Sequence, residues 1–485
     1  MKYDCIIIGS GISGLSAALI LALNGKKVAI IEKNNRTALL LRQYQRQGVW
    51  CNPGFHYTGG FKPSGFLSVF FRYLGLYDRI QTLSMDPEKY DIVSVSEGKD
   101  FCFPIGLERV RDSLCERFPR SREIINKYIE YIEVINKKTF FLNCNLDFGK
   151  HPRDLLNNDT LREFLQKGGA EEGLIQLLGN YGYSLYGSHD FEVPFYLHAW
   201  VIGEFYQSAN TVIRGGDAIA EAFDARCREE GVDFYLGQPA ISLKIDDNHC
   251  LKGVVVEGGN VIESDNCICT IHPQLLEDIG PKNDKFSSFY KRLKDFDNTY
   301  SPFVIHLKTE KIPKKIVNSN YYSLDNLNSK NFIGIMSNNQ DKMESGKKSI
   351  TVISSCCQKQ LSQIFDEKNQ NFDNIYADLK RKETEKIFQS VMTIFPELKG
   401  NCQIVDSASP LTYQRYTGTV NGSIYGIKQT VKQSSLSSVT PIKGLFLAGQ
   451  SIKVPGIMGS VVSSFLSVLN ILEPKQLWEK VQKCL

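Results

Sequence analysis

The sequence lacks the charge imbalance that a nucleic-acid-binding protein shows. Its 57 basic and 53 acidic residues leave a formal net charge of +4 over 485 residues. No long run of like charges forms a polybasic patch or an acidic tail. A balance this even gives no electrostatic footprint for a polyanion, so we expect no nucleic-acid partner.

Metal-binding and disulfide patterns are also missing. The chain has no HExxH motif and no Cys/His set with ligand spacing, so we expect no metal. Its 13 cysteines are scattered, and the close pairs Cys267/Cys269 and Cys356/Cys357 do not have CxxC spacing. An odd count in a long chain argues against a disulfide framework. We therefore expect reduced, mostly buried cysteines in a cytoplasmic compartment.

One long apolar run, Cys5–Leu23, resembles a signal peptide or a membrane span. Three features disfavour that interpretation. Asp4 lies beside the single basic Lys2, glycines interrupt the run, and a second apolar run ending at Glu32 follows directly. We expect the segment to be a buried part of the fold.

The same region predicts a strand, a tight turn, a helix and a second strand. Tyr3–Ile8 is apolar and rich in β-branched residues, Ser13–Leu23 is rich in alanine and leucine, and Val28–Ile31 is a second buried strand. A short crossover between two such strands implies that they pair in parallel.

The turn between the first strand and the helix has the GxGxxG pattern of a dinucleotide-binding site. Gly9 permits the sharp turn, Gly11 lets a pyrophosphate approach the backbone, and Gly14 allows close packing of helix on strand. The helix N-terminus offers free N–H groups to phosphates. Glu32 stands where a carboxylate accepts hydrogen bonds from ribose hydroxyls, which disfavours a 2′-phosphate and indicates FAD or NAD.

The C-terminal segment favours FAD over NAD. Leu445–Gln450 is an apolar strand that runs into a glycine, and Val454–Ser460 opens an apolar helix, Val461–Leu472. This second helix N-terminus suits the negative charge that a reduced flavin carries around N1 and the C2 carbonyl. An ordinary packing helix is the alternative.

Sheet-like segments occur at the start, in the middle and at the end of the chain. We therefore predict an α/β protein with a Rossmann-like FAD-binding lobe assembled from residues 1–60, 205–275 and 440–485. Residues 61–204 and 276–439 are predicted to form an α+β substrate-binding lobe.

Several motifs resemble the phytoene desaturase, carotenoid isomerase and retinol saturase superfamily of FAD-dependent oxidoreductases. They occur in the family's order over most of the chain: the Gly9–Gly14 turn with Glu32-Lys33, Gly54-Phe55-His56-Tyr57, Arg214-Gly215-Gly216, Cys269–Pro273, Tyr416-Thr417-Gly418, Gly422–Gly426 and Leu445–Gly459. The Gly-x-His-Tyr and Ala-Gly-Gln variants look closer to the retinol saturases and carotenoid isomerases than to the phytoene desaturases.

The resemblance implies a set of residues in contact with FAD. They are Gly9, Ser10, Gly11, Gly14, Glu32, Lys33, Arg42, Ala240, Gly449, Gln450, Gly456, Ile457 and Met458. Two departures from the family pattern accompany them. Bulky residues, Ala38–Leu41, replace the usual Gly-Gly pair near the flavin, and Asn52-Pro53 stands where an acid commonly precedes Gly54.

By the same resemblance the substrate is an apolar polyene or isoprenoid, and hydride passes between a carbon and the flavin. His56 and Tyr57 are the candidate catalytic residues for the accompanying proton, with a backbone-bonded loop histidine as the alternative. Tyr413, Arg415 and Tyr416 form a weaker cluster, and His198 and His272 are interpreted as structural. Aromatic residues of the insertions are candidates for an apolar tunnel, although each alone fits an ordinary core position. They are Phe66, Phe70, Phe71, Tyr73, Tyr181, Tyr183, Tyr186, Phe195, Tyr196, Trp200, Phe205 and Tyr206.

An apolar substrate makes peripheral membrane contact plausible. Pro63–Leu76 is apolar with few charges and fits either an interfacial helix or, more readily, a buried one. The single dinucleotide fingerprint does not identify the electron donor or acceptor.

Three functions remain open at this point. The leading one is a FAD-dependent saturase, desaturase or cis–trans isomerase acting on carbon–carbon double bonds. A flavin amine oxidase would show a polar cage at the flavin instead of an apolar tunnel. A non-catalytic lipid- or isoprenoid-binding protein of the Rab escort type, suggested by Ala38–Leu41, would not bind flavin.

Overall fold

Strands and helices are distributed along the whole chain in a computed structural model that describes residues 2–94, 100–150, 156, 159–324, 332–337, 348–356, 372–433 and 436–485. The strands are β1 (Cys5–Ile8), β2 (Val28–Glu32), β3 (Tyr44–Arg46), β4 (Val49–Cys51), β5 (Thr82–Ser84), β6 (Asp91–Ser94), β7 (Asp100–Phe103), β8 (Asn210–Val212), β9 (Asp233–Leu236), β10 (Ala240–Ile245), β11 (Leu251–Val256), β12 (Val261–Glu263), β13 (Cys267–Cys269), β14 (Ser301–Thr309), β15 (Asn320–Ser323), β16 (Ile333–Ser337), β17 (Lys348–Cys356), β18 (Cys402–Ala408) and β19 (Leu445–Leu447). The helices are α1 (Ile12–Ala22), α2 (Phe66–Tyr73), α3 (Leu107–Arg117), α4 (Arg122–Lys138), α5 (Leu161–Lys167), α6 (Glu172–Tyr186), α7 (Phe195–Gln207), α8 (Gly215–Glu229), α9 (Leu276–Ile279), α10 (Asp284–Lys294), α11 (Phe372–Ile394), α12 (Pro410–Thr417), α13 (Gly456–Val468) and α14 (Pro474–Gln482).

A five-stranded parallel sheet joins segments that are far apart in the chain. Its order is β19-β13-β1-β2-β9. Successive residues of β1 face opposite sides, as strand geometry requires. Ile7 belongs to the same apolar cluster as Leu15 of α1, whereas Ile6 belongs to the cluster of Val254 in β11. Both faces are therefore covered, which explains why these strands are apolar throughout.

A seven-stranded sheet, β18-β14-β17-β16-β15-β6-β7, has two different faces. On one face Ile305 and Val352 pack in a cluster with Val391 of α11. Their neighbours Val304 and Ile353 point the other way and line a large cavity. The period-two alternation of the strands thus separates a buried core from a ligand-facing wall.

The hairpin β6–β7 lies within residues 61–204, where no individual strand is predicted from the sequence. It extends the seven-stranded sheet, with β6 parallel to β15 and Asp91 opposite Asn320. The two insertions therefore share one sheet.

The two apolar stretches that resembled membrane segments are interior. Cys5–Leu23 contains β1 and helix α1, most of whose residues are buried. In Pro63–Leu76, helix α2 buries Phe66, Phe70 and Phe71 completely. Of the two interpretations of this stretch, the structure shows the buried helix, whose rings complete the core between α2 and the C-terminal helices. Among the described residues, no helix is long and apolar enough to cross a membrane.

We predict that Phe70→Ala lowers the unfolding free energy by about 3–5 kcal/mol, the usual cost of removing a buried ring. The Phe70 ring lies 4.4 Å from that of Phe66 and 5.3 Å from that of Phe465, centroid to centroid. Phe191 is 54% exposed, so Phe191→Ala is the control and should change stability by less than about 0.5 kcal/mol. Denaturant unfolding of both variants measures this, and equal losses would contradict the buried placement of α2.

Candidate functional site

A large cavity lies between the five-stranded and the seven-stranded sheets. Its empty volume, together with the space at its opening to solvent, is about 2000 Å³. One part is lined by the Gly9–Gly14 turn region, at Gly11, Ile12 and Ser13, and another by strands of the seven-stranded sheet. The cavity is therefore shared by the nucleotide-type turn and the apolar wall.

The turn before α1 has the geometry that its glycines predict. Gly9 has a φ of +98°, a region that favours glycine. A Cβ on Gly14 would lie 1.9 Å from the carbonyl oxygen of Gly9, so helix and strand approach each other closely. A Cβ on Gly11 would meet no protein atom within 4 Å, and Gly11 lines the cavity. The turn thus leaves open space where a pyrophosphate is expected.

Glu32 at the end of β2 is held in place at the cavity wall. Its carboxylate accepts hydrogen bonds from the backbone N–H of Ser10 at 2.8 Å and the Ser10 hydroxyl at 2.7 Å. The backbone N–H and the side-chain amide of Asn34 donate to its other oxygen at 2.9 and 2.8 Å. Both residues flank the turn, so the acid is oriented before any ligand arrives.

The C-terminal segment returns to the same cavity. Gly449, Gln450, Gly456, Ile457 and Met458 all line it, and helix α13 begins at Gly456. The Gly449 N–H donates to the Ser463 hydroxyl at 2.9 Å. A second helix N-terminus with its free N–H groups therefore opens onto the cavity.

These residues fit a flavin dinucleotide. Open space at Gly11, an oriented acid at Glu32 and two helix N-termini share one cavity. When bound there, the phosphates are expected at the start of α1, the ribose at Glu32 and the flavin ring toward Gly456.

The predicted cofactor residues comprise those that line the cavity, those that shape the turn, and three others. Gly11, Glu32 and the five C-terminal residues line the cavity, whereas Gly9, Ser10 and Gly14 shape the turn from behind it.

Lys33, Arg42 and Ala240 do not line the cavity, and their role as cofactor contacts stays a prediction. The Arg42 guanidinium donates to the Thr37 carbonyl at 3.1 Å and lies 3.6 Å from the Asp217 carboxylate. These contacts hold it outside the cavity. The Lys33 ammonium donates to the Arg415 carbonyl at 3.2 Å.

The departure at Ala38–Leu41 forms part of the wall. Ala38 adopts a left-handed φ of +51° and donates its N–H to the Ser10 carbonyl at 2.9 Å. Leu39, Leu40 and Leu41 all line the cavity, which continues on both sides of them. A Cβ on Gly54 would lie 2.6 Å from Leu40 Cγ, so the missing side chain of Gly54 leaves the space that Leu40 occupies.

His56 and Tyr57 both line the cavity, but they differ in their hydrogen bonds. Neither ring nitrogen of His56 has a hydrogen-bond partner among the described residues. Burial, assisted by the nearby His306, lowers the pKa of His56 to about 3, so the imidazole is neutral at physiological pH. The Tyr57 hydroxyl donates to the Asp91 carboxylate at 2.6 Å and lies 2.9 Å from the Tyr322 hydroxyl. Burial and Asp91 raise the pKa of Tyr57 well above 10.

Asp91 is a functional candidate that sequence reasoning missed. It is completely buried behind the cavity wall. Besides Tyr57, it accepts hydrogen bonds from the Tyr181 hydroxyl at 2.6 Å and the Asn320 amide at 2.8 Å. Burial raises the pKa of Asp91 to about 6 even though these three donors lower it. An acid at the head of the apolar segment Asp91–Ser94 was the available signal.

Glu204 is the second missed residue. It lies in α7 and lines the cavity, yet only 5% of its surface is exposed. Burial raises the pKa of Glu204 to about 7, opposed by the charge of Lys62. The signal in the sequence was a single carboxylate inside the otherwise apolar segment Phe195–Tyr206.

Most of the aromatic residues proposed for a tunnel are core residues, because α2, α6 and α7 bury them against one another. Of that set only Phe205 lines the cavity. The lining aromatics are instead Phe55, Tyr57, Phe205, Tyr300, Tyr322, Phe332, Tyr413, Tyr416 and Tyr425. The apolar wall therefore exists but is built largely from the second insertion.

The remaining candidates have structural partners or mixed placements. His198 is buried between the Tyr128 hydroxyl at 2.7 Å and the Tyr186 hydroxyl at 3.0 Å. His272 lies 3.0 Å from the Asn298 amide. In the weaker cluster, Tyr413 and Tyr416 line the cavity, whereas Arg415 does not.

No metal site or disulfide forms among the residues that the structure describes. These residues contain no group of three or more His, Cys, Asp or Glu side chains suited to an ion. The 11 cysteines whose side chains the structure describes are free, and eight of them are buried, whereas the side chains of Cys356 and Cys357 lie outside the described part of the chain.

Comparison with known proteins gives one family and several relatives. Residues 12–464 match the family described as "Flavin containing amine oxidoreductase". The all-trans-retinol 13,14-reductase of Rattus norvegicus is 25% identical, and the alignment covers 97% of this chain and 86% of that protein. The 4,4′-diaponeurosporene oxygenase of Staphylococcus haemolyticus is 22% identical with 97% of each chain covered. The crystal structure of an oxidoreductase from Methanosarcina mazei has a TM-score of 0.69 at 15% identity, covering 97% of this chain and 100% of that one, which shows a shared fold.

Two glycine substitutions are expected to separate flavin binding from folding. Gly11→Ala should leave the melting temperature of the flavin-free protein nearly unchanged, because its Cβ enters open space, but should reduce bound flavin at least tenfold. Gly14→Ala should destabilise the flavin-free protein itself, because its Cβ overlaps the Gly9 carbonyl. Thermal unfolding and flavin absorbance report the two effects. Normal flavin content in Gly11→Ala would contradict the placement of the pyrophosphate.

The raised pKa of Asp91 predicts a distinctive pH dependence of stability. Because this pKa rises from 3.8 to about 6 on folding, the folded protein binds the proton more tightly than the unfolded chain. The protonated Asp91 therefore contributes to the unfolding free energy below about pH 4. This contribution, up to about 3 kcal/mol, is lost as the pH rises to about 6.

Asp91→Asn removes that titration. The difference in unfolding free energy between variant and wild type should therefore shift in favour of the variant as pH rises from about 4 to about 6. Denaturant titrations across this range measure it, with Asp112→Asn on the surface as the control. A pH-independent difference would show that Asp91 titrates normally.

Proposed function

The chain belongs to the flavin containing amine oxidoreductase family, and from this premise we propose that it acts on carbon–carbon double bonds of an apolar polyene or isoprenoid. It is a FAD-dependent oxidoreductase, and the proposed reaction is that of a saturase, desaturase or cis–trans isomerase. The observation that carries the substrate class is the apolar, aromatic wall that continues from the dinucleotide cradle. Relatives named for retinol and diaponeurosporene, aligned over 97% of this chain, support the same class.

The proposed FAD lobe and substrate lobe correspond to the two sheets. The strands of the five-stranded sheet all fall within residues 1–60, 205–275 and 440–485, and those of the seven-stranded sheet within 61–204 and 276–439. We propose the first set as the FAD lobe and the second as the substrate lobe. The substrate then lies between the face of β14–β17 and the start of α13.

When bound, FAD supplies hydride transfer at its N5 atom. The protein orients the substrate, excludes water and supplies a proton. We propose Tyr57 as the residue that carries the proton at the cavity wall. Its hydroxyl is joined to Asp91 on one side and to Tyr322 on the other. The neutral His56, with no protein partner, is proposed to orient the ligand by a hydrogen bond rather than by charge.

A polyene is expected to favour lipid over water, so peripheral contact with a membrane is part of the proposal. The surface involved is not α2, which is buried.

Anaerobic mixing tests the proposal. Protein carrying reduced flavin is expected to lose its reduced spectrum on addition of a long conjugated polyene if it is a saturase. Protein carrying oxidised flavin should be bleached by a more saturated isoprenoid if it is a desaturase, and the product spectrum detects isomerisation. The Gly11→Ala variant, deficient in flavin, is the control for uncatalysed reaction.

The alternatives give different results. Bleaching by amines but not by isoprenoids would identify an amine oxidase. Protein that remains colourless after incubation with FAD would identify a binding protein. Either result would overturn the proposed function.

A further inference from the structure

Glu204 is a buried acid whose hydrogen-bonding capacity is not used by the protein. Only 5% of the residue is exposed, and its Oε2 atom is fully buried with no hydrogen-bond partner in the part of the chain that the structure describes. Burying a polar group without a partner costs free energy unless something else satisfies it. An acid of this kind in a cavity wall is therefore a candidate to bind a ligand.

Close packing fixes where this acid lies. A Cβ on Gly59 would come within 2.5 Å of the Glu204 carbonyl carbon, so the loop that follows His56 and Tyr57 lies directly on α7. A Cβ on Gly60 would lie 3.0 Å from Oε2 itself. The Gly60 N–H is bonded to the Ser208 hydroxyl at 2.9 Å. The Glu204 carboxylate therefore lies against the loop at Gly60, where the side chain forms part of the cavity wall.

No ion pair joins Glu204 to a cation in the described part of the chain, although the charge of Lys62 acts on it. The nearby Lys62 donates its ammonium to the side-chain oxygen of Gln207. The cavity neighbours of Glu204 in sequence are apolar or aromatic, with Val201 one turn before it and Phe205 after it. The Phe205 ring lies 5.0 Å from the Tyr57 ring, which connects Glu204 to the proposed proton carrier.

We propose that Glu204 binds a terminal oxygen, a hydroxyl or carbonyl, on an otherwise apolar substrate and so determines which end of the chain enters this part of the cavity. The inference rests on the proposed function and specifies its substrate class. A neutral oxygen is the fitting partner because burial raises the pKa of Glu204 to about 7, so that a large share of the acid is protonated at neutral pH. The protonated acid donates a hydrogen bond without requiring a counter-charge. An ammonium group would need the ionised form in this apolar setting.

Binding of matched ligands to the flavin-loaded protein tests this. The probes are a long conjugated polyene alcohol and the hydrocarbon of the same chain length, with affinity measured by quenching of protein fluorescence. Wild type should bind the alcohol about tenfold more tightly, the effect of one well-placed hydrogen bond. Glu204→Met, close in length but apolar, should reduce this preference to less than about twofold while still binding the hydrocarbon.

Two variants serve as controls. Glu204→Gln should keep most of the preference, since an amide also donates and accepts hydrogen bonds. Val201→Ala, on the same cavity-facing turn of α7, should weaken both ligands alike and leave the ratio between them unchanged. Flavin absorbance and circular dichroism establish that each variant is folded.

A second measurement does not depend on Glu204→Met folding. The infrared C=O band of a protonated carboxyl should shift when the alcohol is added to wild type, should not shift with the hydrocarbon, and should be absent from Glu204→Gln. The proposal is overturned if the band does not respond, if Glu204→Met keeps the preference, or if an amine-terminated chain binds best. Equal binding of alcohol and hydrocarbon would reject only the role of Glu204, whereas failure of both to bind would reject the proposed function.

Discussion

The packing of α1 against α13 is the contact on which the rest of the site depends. It brings the two ends of the chain together, and the Ser464 hydroxyl donates to the Ser13 carbonyl at 2.7 Å across it. Glycines at both helix starts let each helix lie close to the turn that precedes it: a Cβ on Gly459 would lie 1.5 Å from the Val454 carbonyl oxygen, and one on Gly14 would lie 1.9 Å from the Gly9 carbonyl oxygen. Two helix N-termini then open onto one cavity, and each adds partial positive charge where a flavin dinucleotide is negative.

The second constraint is the two-faced character of the seven-stranded sheet. Alternation along β14 and β17 places one set of side chains against α11 and the other set against the cavity. An apolar ligand wall follows from strand geometry alone once the sheet is covered on its far side. The few polar groups in that wall are correspondingly important, because a low dielectric strengthens every hydrogen bond that they make.

Those polar groups divide into satisfied and unsatisfied ones, and the two kinds suit different tasks. Tyr57 belongs to a closed set of hydrogen bonds around Asp91, which holds a proton at a defined atom. His56 and Glu204 have atoms without protein partners, which leaves them available to a ligand. Burial disfavours the charged form of all three groups, so it raises the pKa of Asp91 and Glu204 and lowers the pKa of His56.

The sequence by itself determined the nucleotide turn and its C-terminal counterpart, because these depend on local rules: glycines at fixed spacing, a helix start and an acid at a strand end. It indicated the loop of His56 and Tyr57 for the same reason. It did not determine which aromatics line the cavity, nor that Asp91 lies behind Tyr57, nor that Glu204 faces the ligand wall. Those facts depend on pairing β6 with β15 and on laying Gly59 against α7, contacts between residues far apart in the chain. Only the tertiary structure decides them, because local spacing carries no information about which distant surfaces meet.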